Sequence, residues 1–125
     1  MHKISNTVLY KKGWIYLPKE LIDLSKYQEI VILPWAPGSI LLLSEEECSH
    51  LNEFIKSLGT EGRVLLRLLG RAVWTEIKPC HHRRNKIRLP EFMLEHMCLK
   101  ETECLMTGSP FEKRNIKGIQ IEKII

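Results

Sequence analysis

No run of apolar residues in this chain approaches the roughly 18 that a membrane-spanning helix needs. The first residues, Met1-His2-Lys3-Ile4-Ser5-Asn6, carry no apolar stretch behind their one lysine. Both absences argue against a membrane protein and against a secretion signal, so a cytoplasmic location is expected. No Cys-x-x-Cys occurs, and Cys48, Cys80, Cys98 and Cys104 are scattered. Without a secretion signal, that scatter argues against a disulfide framework. Cys48 and Cys98 read as small buried hydrophobes. Cys80-His81-His82 supplies ligand types, but neighbours on a strand point to opposite faces and a fourth ligand is not evident. Neither a phosphate-binding glycine loop nor a nucleophile elbow is present. Glu76 with His81 and His82 reads as polar surface. No enzyme activity, cofactor, metal or small-molecule substrate is therefore expected.

Acidic residues are also missing from one stretch, and there the absence points to a partner. Lys78 to Pro90 holds Lys78, Arg83, Arg84, Lys86 and Arg88, two histidines and no acid. Residues 1–59 carry six lysines against seven acids, whereas residues 60–125 carry thirteen Lys/Arg against eight glutamates. The basic stretch accounts for the excess of the second half. It reads as the tip and return strand of a β-hairpin, with Lys86-Ile87-Arg88-Leu89 alternating and Pro90 ending the strand. A weaker copy stands at Lys11-Lys12-Gly13-Trp14-Ile15-Tyr16-Leu17-Pro18. Two such tips make nucleic acid the first partner to consider.

At 125 residues and 14.7 kDa the chain is one domain, or two half-domains sharing a core. Thr7 to Tyr10 reads as a first strand, Lys11-Lys12-Gly13 as a tight turn and Trp14 to Leu17 as the return. Pro18 suits the first position of a short helix over Lys19 to Leu24. Glu29 to Leu33 is almost continuously apolar and is expected to be buried on both faces. A loop over Pro34 to Ser39 leads to a strand over Ile40 to Leu43. Ser44 and Glu47 form a capping box ahead of a helix with Cys48, Leu51, Phe54, Ile55 and Leu58 on one face. Gly59 is its C-terminal stop. The next helix, roughly Glu61 to Leu69, is apolar over most of its surface and needs more than one partner surface. Arg63, Arg67 and Arg71 read as its solvated stripe. After Pro90 follow a short amphipathic helix over Glu91 to Met97, a strand over Glu103 to Met106, a turn at Thr107-Gly108-Ser109-Pro110 and a last strand over Gly118 to Ile124.

Leu17-Pro18 recurs as Leu89-Pro90, 72 residues on. At that offset Trp14 to Leu21 falls on Lys86 to Met93, Val31 to Leu33 falls on Glu103 to Leu105, and Pro37-Gly38-Ser39 falls near Gly108-Ser109-Pro110. Neither half alone buries much surface. Residues 1–43 and 72–125 are therefore read as two half-repeats of one compact domain, joined by a helical pair over 44–71.

A basic turn between two strands, the second ending in Leu-Pro before a short helix, given twice, resembles the AbrB/SpoVT swapped-hairpin family. The helical middle resembles the MraZ branch in particular. There Gly38 to Glu47 gives a leucine-rich strand and an acidic helix start, and Arg63 to Ala72 with Glu76 gives an arginine-leucine-glycine-alanine run. The first hairpin has Tyr10 and Trp14 where the family usually has Asp and Arg, and keeps Gly13, Leu17 and Pro18. The second has Lys86 at the Arg position. The resemblance implies an α+β fold, mainly β with short helices, in which two swapped-hairpin half-repeats form a small β-barrel. It also implies a nucleoid-associated transcriptional regulator that binds repeated sites on double-stranded DNA as a ring-shaped or otherwise higher homo-oligomer. The contacts would fall to Lys11 and Lys12 on the first hairpin and to Arg83, Arg84, Lys86 and Arg88 on the second. The alternative is a protein-interaction or structural paralogue on the same fold, with Trp14 and Tyr16 as the contact.

Overall fold

A computed structural model describes residues 6–18, 28–80 and 84–124. The expected helix over Lys19 to Leu24, and Arg83 with His81 and His82, lie outside the described residues. Strands β1 (Asn6–Lys11) and β2 (Trp14–Leu17) form the first hairpin, and β3 (Glu29–Pro34) and β4 (Ser39–Leu43) the second. Helices α1 (Glu45–Ser57) and α2 (Arg63–Leu69) follow, separated by a 3-10 turn over Gly59–Gly62. Then come β5 (Val73–Glu76), β6 (Lys78–Pro79), β7 (Asn85–Arg88), α3 (Glu91–His96), β8 (Glu103–Lys113) and β9 (Ile116–Lys123).

The nine strands among the described residues belong to one antiparallel sheet in the order β5-β3-β4-β9-β8-β1-β2-β7-β6. Its first and last members, β5 and β6, are consecutive in the chain and separated only by Ile77. The sheet thus curls into a nearly closed, barrel-like form, mainly β with few helices. Thr75 Oγ1 on β5 donates across the seam to the Arg88 carbonyl on β7 at 3.4 Å. Four of the pairings join the first part of the chain to the last: β1 with β8, β2 with β7, β3 with β5 and β4 with β9.

Alternation along the strands fills the interior. Val8, Tyr10, Ile15, Leu17, Ile87 and Leu89 point into one cluster that Met93 and Met97 also enter. Strand β3 is buried on both faces beyond the exposed Glu29, as its apolar run predicts, and β4 is buried throughout as well. Ile30, Ile32, Ile40 and Leu42 join the barrel interior. Leu33, Leu41 and Leu43 pack outward against Leu51 and Ile55 of α1. That second cluster is where helix periodicity meets strand periodicity.

Helix α1 begins where the capping residues predict. The Ser44 hydroxyl accepts from the Glu47 N–H at 3.2 Å. The reciprocal half of the box is replaced by a long-range bond, because Glu47 Oε2 accepts from the Lys117 N–H of β9 at 3.0 Å. Gly59, at φ +62°, stands just past the helix end. Helix α2 has no buried residue, and Val64 is 69% exposed. Arg63, Arg67 and Arg71 are exposed, as expected.

Three expectations are corrected. Thr107-Gly108-Ser109-Pro110 is not a turn, because β8 runs straight through it to Lys113. In that strand Pro110 is the register partner of Ile119 on β9, and a proline is tolerated in a strand where its missing N–H is not needed for a ladder bond. The turn sits at Arg114-Asn115 instead, with φ of 53° and 66°. The correspondence drawn between Pro37-Gly38-Ser39 and Gly108-Ser109-Pro110 falls with it, since the first is a hairpin loop and the second is mid-strand. Finally, Cys98 is exposed, at φ +56°, rather than a buried hydrophobe.

Candidate nucleic-acid interface

The first hairpin turns at Lys12 and Gly13, with φ of 49° and 90°. Positive φ at both central residues matches a right-twisted two-residue hairpin. The turn is tied down on either side: Lys12 N–H donates to the Thr102 carbonyl at 2.7 Å, and Leu89 N–H donates to the Gly13 carbonyl at 2.8 Å. Strand β2 then lies beside β7, with Trp14 opposite Arg88, Ile15 opposite Ile87 and Tyr16 opposite Lys86. Ile15, Leu17 and Ile87 face inward. By the two-residue alternation, Trp14, Tyr16, Lys86 and Arg88 share the outer face.

On that face three cations converge on one ring. Lys86 Nζ lies 4.5 Å from the Trp14 ring centroid, Arg88 Cζ 5.4 Å and Lys78 Nζ 5.7 Å. Each is within the range in which the ring quadrupole attracts a cation. Lys78 is directly opposite Lys86 in the β6–β7 register, and like charges so placed repel. The Arg88 guanidinium also lies against Gly13, where a Cβ would come within 3.1 Å of Cζ. Glycine therefore serves twice here, once for the turn and once for room.

The remaining candidates border this cluster. Lys11 is exposed, opposite Trp14 on one side and Glu103 on the other. Lys12 is exposed at the turn, and Arg84 is exposed just ahead of β7. The Arg84 carbonyl accepts from Cys80 N–H at 2.9 Å, next to the β6–β7 pairing. The ion pairs among the described residues, Lys123 with Glu101 and His50 with Glu47, involve none of these cations. An open cleft of about 380 Å³ runs from Trp14 and Arg88 past Lys78 to Glu76 and Trp74 of β5, where Trp74 is 51% exposed.

Two members of this face were missed in the sequence. Lys78 belongs to the basic stretch, but only the β6–β7 register brings it over Trp14. Trp74 read simply as part of an alternating strand. Its outward position is carried by that alternation, but the nearness of β5 to Arg88 is a product of barrel closure. What the fold and face define together is a β-rich, barrel-like protein with a cationic strand surface centred on a tryptophan. No protein-family model matches the chain, and neither does any curated protein. No helix among the described residues is long and apolar enough to cross a membrane.

Proposed function

We propose that this chain is a non-enzymatic DNA-binding protein of the MraZ/AbrB type, a transcriptional regulator that meets double-stranded DNA with the outer face of β2, β6 and β7. The observation that carries the reading is the gathering of Lys78, Lys86 and Arg88 around the half-buried Trp14 on the outer face of three strands, with Lys11, Lys12 and Arg84 at its margins. A two-stranded ribbon fits the major groove, where Lys and Arg neutralise phosphates and can reach guanine edges.

The swapped-hairpin half-repeat draws support from the strand order. Exchanging β1 with the β5/β6 pair, β2 with β7, β3 with β8 and β4 with β9 leaves the order around the barrel unchanged. Ile15 and Ile87, equivalent under the 72-residue offset, are register partners, as a two-fold axis between the halves requires. One ribbon with about four phosphate contacts makes a weak site. Several copies on repeated sites gain by effective concentration, so the reading includes a homo-oligomer. The exposed Val64 and half-buried leucines of α2 are the surface assigned to subunit contact.

The test is duplex DNA affinity at 50 and 200 mM salt, with light scattering on the same sample. Four phosphate contacts predict a loss of roughly a hundredfold across that range. A folded oligomer with no measurable affinity at 50 mM would reject the reading. It would favour the alternative of a protein-interaction paralogue with Trp14 and Tyr16 as the contact, beside which Trp74, 51% exposed, borders the same cleft.

A further inference from the structure

The cluster on Trp14 raises a question of chemistry that the DNA reading leaves open. Three side chains of like charge lie within 6 Å of one indole centroid. Two of them, Lys78 and Lys86, are opposed in register. Left to themselves, long Lys and Arg side chains on a strand would spread apart into water, since repulsion and rotamer entropy both favour that. The indole reverses the preference. Its negative face offers each cation a partner, and its rigidity fixes where they meet. Arg88 is held further by the narrow space against Gly13.

We propose that Trp14 is a positioning residue, which assembles Lys78, Lys86 and Arg88 into a preformed site for a phosphate group. The inference rests on the nucleic-acid reading for its biological ligand, a backbone phosphate, but the site itself requires only a polyanion. Trp14 contributes no charge. It lowers the ordering cost of the three cations, and preorganisation of that kind raises affinity without adding a contact. Tyr16 lies next along the same face, opposite Lys86, and the three cations found over a ring on this face all lie over Trp14.

The experiment compares the full-length protein with Trp14→Leu and Trp14→Phe, each checked for an unchanged far-UV spectrum and a cooperative melt. Two probes are titrated: a labelled duplex, and inorganic tripolyphosphate at low salt. Trp14→Leu keeps every charge, so a site acting only through its net field would bind both probes as the wild type does. The proposal instead predicts a loss of about tenfold for both probes in Trp14→Leu, the size expected for two or three cation–π contacts. It also predicts recovery of most of that loss in Trp14→Phe, and a duplex salt slope that stays unchanged because no cation is removed. Equal tripolyphosphate affinity in wild type and Trp14→Leu overturns the proposal. So does a Trp14→Phe protein as weak as Trp14→Leu. If tripolyphosphate follows the predicted pattern while no form binds duplex, the phosphate site stands and the DNA reading fails.

Discussion

Ile15 on β2 and Ile87 on β7 are direct register partners, 72 residues apart in the chain, and both are fully buried. They pack across the junction of the two halves, immediately beneath the cationic ribbon. Trp14 and Tyr16 stand on the outer face only because Ile15 and Leu17 hold the inner one.

Truncation of either isoleucine should cost about 2–5 kcal/mol, the range for a large apolar side chain removed from a packed core. The two share one void, so Ile15→Ala and Ile87→Ala together should cost less than their sum. Chemical denaturation of the two single variants and the double variant measures this. Strict additivity would place the residues in separate environments and contradict the register.

Gly118 marks a second close approach. A Cβ there would come within 2.5 Å of Leu43 Cδ2 and 2.6 Å of the Leu42 carbonyl oxygen. The side chain can turn away, but the backbone oxygen cannot. Gly118→Ala should therefore destabilise by about 1–3 kcal/mol, as overpacking does. A thermal melt equal to the wild type would show that β4 and β9 are not so closely apposed.

The Glu101–Lys123 pair gives a pH signature. The hydrogen bond from Lys123, at 2.9 Å, holds the Glu101 carboxyl below its ordinary value, and the same bond raises the Lys123 ammonium above its own. Glu101 thus adds stability that is present above the unfolded carboxylate value, about 4.3. That stability is lost as pH falls through the lowered pKa. Lys123 adds stability present below about 10.4 and lost as pH rises through the raised pKa. Both groups are solvent-exposed, so the effect is small and salt-sensitive. The melting temperature of Glu101→Gln should sit slightly below the wild type at neutral pH and converge with it in acid. A gap that persists unchanged into acid would contradict the pairing.

Much of this fold could be read locally. The Lys12-Gly13 turn follows from the chemistry of positive φ, the Ser44 cap from a single hydroxyl, and the double burial of β3 from its apolar run. The misreadings share a different cause. Pro110 and Gly108 carry turn chemistry, yet whether a proline can stay in a strand depends on whether its N–H has a neighbour. That is set by the sheet around it and not by the local sequence. Glu47 suits a capping box, but the N–H of Lys117, 70 residues away, takes its carboxylate. At the candidate site the basic character of Lys78 to Arg88 was plain. That its charges converge on Trp14 was not, because it depends on the β2–β7 and β6–β7 registers and on barrel closure.

The most direct test of the DNA reading is the salt dependence of duplex affinity, compared between the wild type and a Lys86→Gln/Arg88→Gln double variant. Each lost phosphate contact lowers the slope of log affinity against log salt by about 0.9, so the double variant should bind more weakly with a slope shallower by about 2. An unchanged affinity and slope would mean that the β2–β7 ribbon is not where this protein meets DNA.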